Sequence, residues 1–326
     1  MKAEILRSLR EAGGYLSGQE LCEKLNVSRT AVWKVIRQLE DEGYEIEAVR
    51  NRGYRLVESA DVLSEVELNS MIGAGIGCAH VVFSEELDST NTRAKQLAEA
   101  GVPDGTLVVA DYQSAGKGRR GRSWSSPRGT GIWMSLLLRP QIPPERASML
   151  TIVAALAVSE GIEKNCGLDN AIKWPNDIVI NGKKICGILT EMSAQMDCVN
   201  HVVIGIGINA NTREFPEEIR ETATSLLIEK KAPVRRAALI REILSAWEVY
   251  YGKYLETQDL SLLVETYNER LVNRDREVKV LAPSGNYTGI SRGITEDGEL
   301  LVEREDGSVT KVLSGEVSVR GIYGYV

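Results

Sequence analysis

The sequence predicts an α+β chain of three domains: helices and a hairpin over residues 1–60, an α/β domain with a mixed sheet over residues 61–272, and a small SH3-like β-barrel over residues 273–326. In the first part, apolar residues recur at helical spacing as far as Leu39. In the middle part, apolar runs of strand length alternate with longer helical patterns. In the last part, short strand patterns are separated by Gly-Asn and Asp-Gly pairs, a spacing typical of small barrels.

Length and composition limit the classes of protein to be considered. The chain has 326 residues, 43% of them hydrophobic, which is enough for two or three domains with a sizeable core. Its longest nearly apolar run, Met149–Val158, is far shorter than the roughly 20 residues that cross a bilayer. The first residues also lack the apolar segment of a signal peptide. We therefore expect a cytoplasmic protein that does not bind membranes.

Cysteine and histidine usage argues against a structural metal site. The five cysteines are odd in number, have no C-x-x-C spacing, and are accompanied by only two histidines. We predict buried free thiols, and a chemistry that depends on electrostatics and positioning rather than on an imidazole base. The cysteines are Cys22, Cys78, Cys166, Cys186 and Cys198.

Residues 1–60 predict three helices followed by a hairpin. Ser17 begins a capping box before the second helix, and Ser28 caps the third. Apolar residues from Val32 to Leu39 define the inner face of the third helix, and a hairpin turns at Asn51-Arg52-Gly53. This arrangement resembles a winged helix-turn-helix, in which the third helix enters the major groove and the hairpin contacts phosphates. The predicted DNA-binding residues are Ser28, Arg29, Thr30, Trp33, Lys34, Arg37, Arg50, Arg52 and Arg55.

The charge distribution favours DNA over the alternative, a winged helix that binds protein. Residues 1–60 contain ten basic and ten acidic residues, whereas the whole chain carries a net charge of −7. The basic residues concentrate on one helix face and on the hairpin, and such a basic surface is the electrostatic footprint of a nucleic-acid site.

A glycine-rich basic loop between Asp111 and Trp133 predicts an anion cradle. Three glycines can direct backbone N–H groups at one ligand, and four cations surround them. The loop satisfies the phosphate motif G-x-G-x-x-G and nearly satisfies G-x-x-x-x-G-K-[ST], but Pro127, Gly129 and Gly131 exclude the helix that both motifs require. The alternative is a solvated surface loop. The cradle residues are Gly116, Lys117, Gly118, Arg119, Arg120, Gly121 and Arg122.

Other polar residues stand where predicted strands end. Asp88 to Asn91 end a strand and cap a predicted helix over Thr92–Ala100, although an N-cap alone is not a site. Gln113 follows the strand that begins at Leu107, and Asn209 follows the buried strand Val202–Ile208.

The segment Lys173–Asp177 precedes a strong hairpin signal. The Asn181-Gly182 pair lies between apolar runs, so the hairpin brings Lys184 back toward Asp177. We expect a carboxylate and an ammonium to share one cleft there. The alternative is an ion pair on the surface, which would contribute little and would not indicate a site.

Together these motifs, in this order, resemble the biotin protein ligases, and with the winged helix in front the whole chain resembles the bifunctional ligase and repressor family of bacteria. The resemblance implies activation of biotin by ATP and Mg²⁺ to biotinyl-5′-AMP, then transfer to a lysine of a carboxylase carrier domain. It further implies operator DNA as a partner and a homodimer when biotinyl-AMP is bound. Lys117 stands where many members of the family carry arginine.

The resemblance also implies residue roles. Lys184, Arg119 and Asp177 would be catalytic, with Asp177 also serving Mg-ATP. The biotin and adenylate site would comprise Ser89, Thr90, Asn91, Gln113, Gly116, Lys117, Gly118, Arg119, Trp124, Lys184 and Asn209.

Two rival functions remain at the level of sequence. A lipoate ligase shares the central fold, but the N-terminal unit and Trp124 count against it. An effector-binding transcription factor with an inactive ligase domain is disfavoured by the retention of Arg119, Asp177 and Lys184.

Overall fold

The computed structural model divides the chain into two compact units. The first comprises residues 1–74 and 235–241, and the second comprises residues 75–234 and 242–326. The structure describes residues 1–57, 61–72, 78, 80–196, 198–282 and 285–313, and the backbone of residues 318–321. Within these ranges, no helix combines the length and the apolar character needed to cross a membrane.

The first unit confirms the predicted winged helix-turn-helix. Ser17 and Glu20 form both hydrogen bonds of the capping box, and the Ser28 hydroxyl accepts a hydrogen bond from the Ala31 amide. Gly53 has a φ of +103°, and a Cβ there would lie 2.1 Å from the Leu16 carbonyl oxygen, so the turn requires glycine. The elements are α1 (Lys2–Ala12), α2 (Gly18–Leu25), α3 (Arg29–Asp41), β1 (Ile46–Val49), β2 (Gly53–Leu56) and α4 (Glu65–Met71).

A buried ion pair joins α4 to α1 within this unit. The Arg10 Nη2 atom lies 2.6 Å from both carboxylate oxygens of Glu67, whose side chain is buried. Asp61 accepts hydrogen bonds from the backbone N–H and the Nε atom of Arg236, at 2.8 and 2.6 Å. Asp61 and Glu67, which follow the hairpin in sequence, are therefore part of the folded unit.

The second unit is built on a seven-stranded mixed sheet, as the sequence predicts. Its order is β3-β4-β5-β9-β8-β7-β6, with β3 and β4 parallel and every other pair antiparallel. The strands are β3 (His80–Leu87), β4 (Thr106–Gln113), β5 (Ile132–Leu138), β6 (Ala171–Lys173), β7 (Asp177–Ile180), β8 (Lys183–Ala194) and β9 (Val199–Ile208).

Helices cover both faces of this sheet. One apolar cluster packs α5 against Val108, Leu137 and Val203, and residues of α6 and α9 pack against the side chains of the opposite face, including Leu107 and Leu136. The helices are α5 (Thr90–Glu99), α6 (Leu150–Cys166), α7 (Glu217–Arg220), α8 (Leu226–Lys230), α9 (Arg236–Thr257) and α10 (Val264–Arg270).

Two predicted helices have different starting residues in the structure. Helix α5 begins at Thr90 rather than Thr92, because the Gln113 side chain accepts a hydrogen bond from the Thr90 amide at 2.8 Å and replaces a side-chain N-cap. The apolar pattern of the sequence also predicts a helix from Glu145 to about Glu163, whereas the structure has a 3₁₀ turn, Pro144–Met149, which continues as α6 to Cys166.

The C-terminal part forms a five-stranded antiparallel sheet in the order β13-β12-β11-β10-β14. The sequence predicts the second strand over Tyr287–Ile290, and in the structure it runs four residues further, because a bulge between Ser291 and Gly293 lets pairing continue. The sequence predicts the last strand from Val317 to Arg320, and Val317 lies outside the described residues. The strands are β10 (Glu277–Leu281), β11 (Tyr287–Ile294), β12 (Leu300–Glu303), β13 (Val309–Val312) and β14 (Ser318–Gly321).

The cysteine prediction was right about bonding and partly wrong about burial. All five cysteines, each within the described ranges, are free, but only Cys166 and Cys186 are buried. Cys198 is exposed beside the turn between β8 and β9, and Cys22 and Cys78 are partly exposed. The odd number of thiols excluded complete pairing, but it contained no information about burial.

Candidate functional site

Two adjoining cavities in the second unit bring most of the predicted site residues together. The larger has a volume of about 420 Å³ and the smaller about 50 Å³. The residues that line both are Gly118, Arg119, Trp124, Asn176 and Lys184. The larger cavity is also lined by Asp177 and Asn209, and the smaller by Ser89, Thr90, Asn91, Gln113 and Lys117.

The glycine-rich loop folds back on itself instead of opening a helix. The Gly118 amide donates to the Arg122 carbonyl at 2.7 Å, and the Trp124 amide donates to the Gly116 carbonyl at 2.8 Å. Gly116 lies outside the lining of both cavities. A Cβ there would lie 2.4 Å from the Trp124 carbonyl oxygen, so Gly116 serves the close packing of the loop.

Arg119 is held beside the Lys173–Asp177 segment. Its Nη1 atom donates to Asn176 Oδ1 at 2.6 Å, and the Asn176 amide in turn donates to the Ile188 carbonyl at 3.1 Å. Burial lowers the pKa of the Arg119 guanidinium, and the nearby Asp177 carboxylate opposes that shift. An arginine remains charged in such surroundings, so the loop holds a fixed cation at the edge of both cavities.

The hairpin places Lys184 beside Asp177, as the sequence predicts. The Lys184 Nζ atom lies 2.6 Å from Asp177 Oδ1 and 5.1 Å from the centre of the Trp124 ring. Both turn residues, Asn181 and Gly182, have positive φ, as the sequence signal requires. The side chains are 23% and 13% exposed, so this pair lies inside the cleft and not on the surface.

Trp124 lies against two glycines of neighbouring strands. A Cβ on Gly187 would lie 2.9 Å from the Trp124 ring, and one on Gly207 would lie 2.7 Å from its Nε1 atom. That Nε1 atom is buried and has no hydrogen-bond partner among the described residues. A buried N–H without a partner is costly, so this donor is suited to a polar atom of a ligand.

Polar residues that end β4 and begin α5 form the inner wall of the smaller cavity. Gln113 Oε1 accepts from the Thr90 amide, and Gln113 Nε2 donates to Ser126 Oγ at 2.7 Å. Asn91 Nδ2 donates to Glu191 Oε2 at 2.8 Å. Since Thr90, Asn91 and Gln113 are at most 9% exposed, these polar groups have fixed positions.

Several residues of the site were missed in the sequence. Asn176 lies inside a segment that we singled out, but its contact with Arg119 joins positions 57 residues apart. The segment from Thr212 to Ala223 forms one wall of the larger cavity, with Phe215 and Ile219 among its apolar residues. Pro216 was the only local signal in this segment, and a proline alone does not indicate a binding wall.

The first unit presents the predicted DNA-binding residues on one exposed helix and hairpin. Trp33 is 51% exposed, and the Arg37 guanidinium lies 5.6 Å from its ring centre. Arg55 donates two hydrogen bonds to Glu47 Oε2, and both Arg52 and Arg55 lie over the Tyr15 ring. The other predicted residues, Ser28, Arg29, Thr30, Lys34 and Arg50, are exposed as well.

Three family profiles match the chain in sequence. They are an HTH domain over residues 2–55, the Biotin/lipoate A/B protein ligase family over residues 83–209, and the Biotin protein ligase C terminal domain over residues 275–320. Among curated proteins, the bifunctional ligase/repressor BirA of Bacillus spizizenii is 41% identical and covers 98% of both chains. The protein of that name from Escherichia coli is 33% identical and covers 97% of this chain and 96% of its own.

Solved structures of biotin protein ligases are also similar to this chain. A biotin protein ligase from Aquifex aeolicus in complex with biotin and ATP superimposes with a TM-score of 0.66 at 34% identity. The match covers 74% of this chain and 99% of that one.

Proposed function

Because the chain belongs to the family of bifunctional biotin ligases and repressors, we propose that it attaches biotin to a carrier protein with ATP and represses transcription through its N-terminal unit. The observation that carries this proposal is the convergence of Arg119, Lys184 and Trp124 on the wall shared by the two cavities. A wall common to two cavities is where two substrates can react.

The first step joins two anions. A carboxylate oxygen of biotin attacks the α-phosphorus of ATP, a P–O bond forms, and pyrophosphate leaves, which gives biotinyl-5′-AMP. Bringing two anions together requires fixed positive charge more than it requires a base. Lys184 and Arg119 supply that charge, and Asp177 holds the Lys184 ammonium in place.

In the second step, a lysine amine of the carrier domain attacks the acyl carbon of biotinyl-5′-AMP. An amide bond forms, AMP leaves with the electron pair of the C–O bond, and the amine loses a proton to solvent. No residue of the chain has to act as a covalent nucleophile in this chemistry. The glycine-rich loop lines both cavities through Gly118 and Arg119, where it would limit the access of water to the reactive anhydride.

Each cavity suits one substrate. The larger, at about 420 Å³, is within the usual range for a nucleotide-sized ligand, and Trp124 offers an aromatic face for the adenine. The smaller cavity offers the buried hydroxyl and amide groups of Ser89, Thr90 and Gln113 to the polar groups of biotin. Its volume of about 50 Å³ is small for a ligand pocket, so we expect its walls to move apart as biotin enters.

Mg²⁺ fits the site as a companion of ATP. The larger cavity is lined by only two carboxylates, Asp177 and Glu214, and Asp177 is already paired with Lys184. Among the described residues, no group of three histidine, cysteine or acidic side chains could hold a metal ion. Mg²⁺ commonly keeps its waters and binds substrate phosphates with one or two carboxylates, which matches this donor set. The ion would neutralise phosphate charge.

The N-terminal unit supplies the second function. One exposed face of α3 and the arginines of the hairpin suit a major groove and its neighbouring phosphates. A single winged helix makes few base contacts, so we propose that two copies of the chain bind an operator together when biotinyl-AMP is present.

Mixing the protein with biotin, ATP and Mg²⁺ tests the enzyme directly. We expect pyrophosphate release, and a mass gain equal to one biotinyl group when a biotin carboxyl carrier domain is added. If lipoate and not biotin were activated, the lipoate ligase alternative would be correct. If pyrophosphate were released with neither biotin nor lipoate, the chain would be an effector-binding transcription factor with an inactive ligase domain.

A further inference from the structure

The segment before α2 pairs with the hairpin of the first unit. The Leu16 amide donates to the Tyr54 carbonyl at 2.8 Å, and the Tyr54 amide donates to the Leu16 carbonyl at 2.9 Å. Leu16 and Tyr54 are therefore an antiparallel pair, and the next pair along places Tyr15 opposite Arg55. On the other side of β2, strand β1 places Glu47 opposite Arg55 as well. Tyr15, Arg55 and Glu47 thus form one row across the small sheet.

This row lies on the outer face of the small sheet. Side chains alternate between the two faces of a strand, so Leu16 and Tyr54 point the other way, where both pack against the apolar core of the unit. The side chains of Arg55 and Glu47 are 46% and 40% exposed, and Tyr15 is partly exposed. The row is therefore accessible to a binding partner.

Two guanidinium groups lie over the Tyr15 ring. The Arg55 Cζ atom lies 5.1 Å from the ring centre, and the Cζ atom of Arg52, which comes from the hairpin turn, lies 5.7 Å from it. Both distances are within the roughly 6 Å over which an aromatic face attracts a cation. An arginine side chain has many rotamers, so a ring that attracts its end reduces the number that it occupies.

The Glu47 carboxylate offsets the repulsion between the two arginines. Its Oε2 atom accepts hydrogen bonds from Nε and Nη2 of Arg55. Hydrogen bonds from Tyr15 and Arg55, with the charges of Arg55 and Arg52, hold the pKa of the Glu47 carboxyl below its usual value. The group is therefore ionised at neutral pH. Two guanidinium groups and one carboxylate leave the cluster with a net positive charge.

The contact with Glu47 uses only part of the Arg55 guanidinium. A guanidinium has five N–H donors, and Glu47 accepts two of them. Nη1 and the second N–H of Nη2 can still bind a phosphate through two parallel hydrogen bonds. The cluster can therefore bind a phosphate without first releasing its own carboxylate.

We propose that Tyr15 is a positioning residue of the DNA-binding surface, whose ring holds Arg52 and Arg55 side by side so that both bind phosphates of duplex DNA. The inference rests on the proposed repressor function and deepens it. A side chain that is already held in place loses less conformational freedom on binding, which strengthens the complex. Tyr15 lies outside the third helix and the hairpin, the two elements that the sequence indicates for DNA binding.

Removing the ring should weaken DNA binding while every charge is kept. In Tyr15→Leu, both guanidinium groups lose the aromatic face. We expect the affinity for duplex DNA to fall roughly three- to tenfold, the scale of two exposed cation–π contacts. Tyr15→Phe keeps the ring and loses only the hydroxyl, so its affinity should stay within about twofold of wild type.

A double-mutant cycle separates positioning of the arginines from a general structural role. In the Arg52→Gln/Arg55→Gln background, the ring has no guanidinium group to hold. Adding Tyr15→Leu to that background should change the affinity by less than about twofold. If Tyr15 instead supported the fold of the unit, Tyr15→Leu would weaken binding equally in both backgrounds, and that result would overturn the proposal.

Fluorescence anisotropy of a labelled duplex of random sequence measures these affinities. The full-length protein is titrated with saturating biotin and ATP at one low salt concentration, because phosphate contacts weaken steeply as salt rises. Tyr287→Leu is the matched control, since it removes a ring whose centre lies 4.0 Å from the Arg304 guanidinium, in the C-terminal sheet. We expect this control to keep the wild-type affinity.

The outcomes distinguish failure of the inference from failure of the proposed function. Wild type that does not bind the duplex would refute the repressor function, and the inference with it. If wild type binds, the role of Tyr15 alone is overturned by Tyr15→Leu within twofold of wild type, or by Tyr15→Phe as weak as Tyr15→Leu. If Tyr15→Leu does not fold, as judged by its melting temperature, Tyr15→Gln takes its place in the same cycle.

Discussion

Replacing Lys184 by alanine should slow the formation of biotinyl-5′-AMP with little loss of folding. The Lys184 Nζ atom lies 2.6 Å from Asp177 Oδ1, inside the wall that the two cavities share. The variant removes a charge-assisted donor and leaves the Asp177 carboxylate with Arg119 as a nearby cation. Because Arg119 remains, a positive charge still compensates the Asp177 carboxylate.

The magnitude follows from the kind of hydrogen bond that is lost. A hydrogen bond to a charged group contributes roughly 1.5–3 kcal/mol. If Lys184 makes such a bond to the reacting oxygens mainly in the transition state, kcat/KM for adenylation should fall roughly 10- to 150-fold. A fall in kcat together with kcat/KM would indicate stabilisation of the transition state and not of bound substrate.

Pyrophosphate release with saturating biotin and varied ATP measures this effect. Lys183→Ala is the matched control, because Lys183 is the preceding residue of the same strand and donates to the Arg220 carbonyl outside both cavities. We expect the control to keep wild-type kinetics. Lys184→Ala with unchanged kcat/KM, in a protein that melts at the wild-type temperature, would refute the assigned role.

Four further predictions concern the same site, the N-terminal unit and the free cysteines. Arg119→Gly should release biotinyl-AMP, so a bystander protein becomes biotinylated; labelling at the wild-type level would contradict the cradle. Removing residues 1–60 should abolish DNA binding while adenylation persists, and DNA binding that survives would refute the winged-helix assignment. Biotin plus ATP should strengthen operator binding by about 1–3 kcal/mol at one fixed salt concentration; equal affinities would show that DNA binding does not sense biotin. Alkylation of the native protein should modify exposed Cys198 well before Cys186, whose burial raises its thiol pKa; equal rates would contradict the burial.

Local sequence signals predicted the elements that depend on neighbouring residues. Ser17 and Ser28 cap their helices as expected, because capping involves only the next three residues. The Asn181-Gly182 turn fixed the register that brings Lys184 to Asp177. The change of pattern along the chain predicted the order of the domains, and the three family matches occur in that order, while the domain boundaries remain predictions.

Contacts between distant segments could not be read from local patterns. Glu191 and Asn91 are 100 residues apart, and neither has a neighbour in sequence that indicates the other. In the sequence, Gly187 and Gly207 are recognisable only as glycines within strands. The structure shows why both positions hold glycine, because a Cβ at either one would collide with the ring of Trp124. The predicted start of α5 was wrong for a similar reason. The group that accepts a hydrogen bond from its first amide is the side chain of Gln113, at the end of β4.

If Gln113 binds biotin as proposed, it contributes both to ligand affinity and to the stability of the fold, which affects how this protein can change. Its amide both satisfies the first turn of α5 and holds Ser126 behind the glycine-rich loop. A replacement that alters the preferred ligand would therefore also leave a helix end unsatisfied, at a cost of roughly 1–3 kcal/mol. In a selection for new substrates, variants at this position would carry this loss of stability in addition to any change of specificity. Successful routes would need a stabilising change elsewhere first, so the order in which mutations arise would determine which specificities the scaffold can reach.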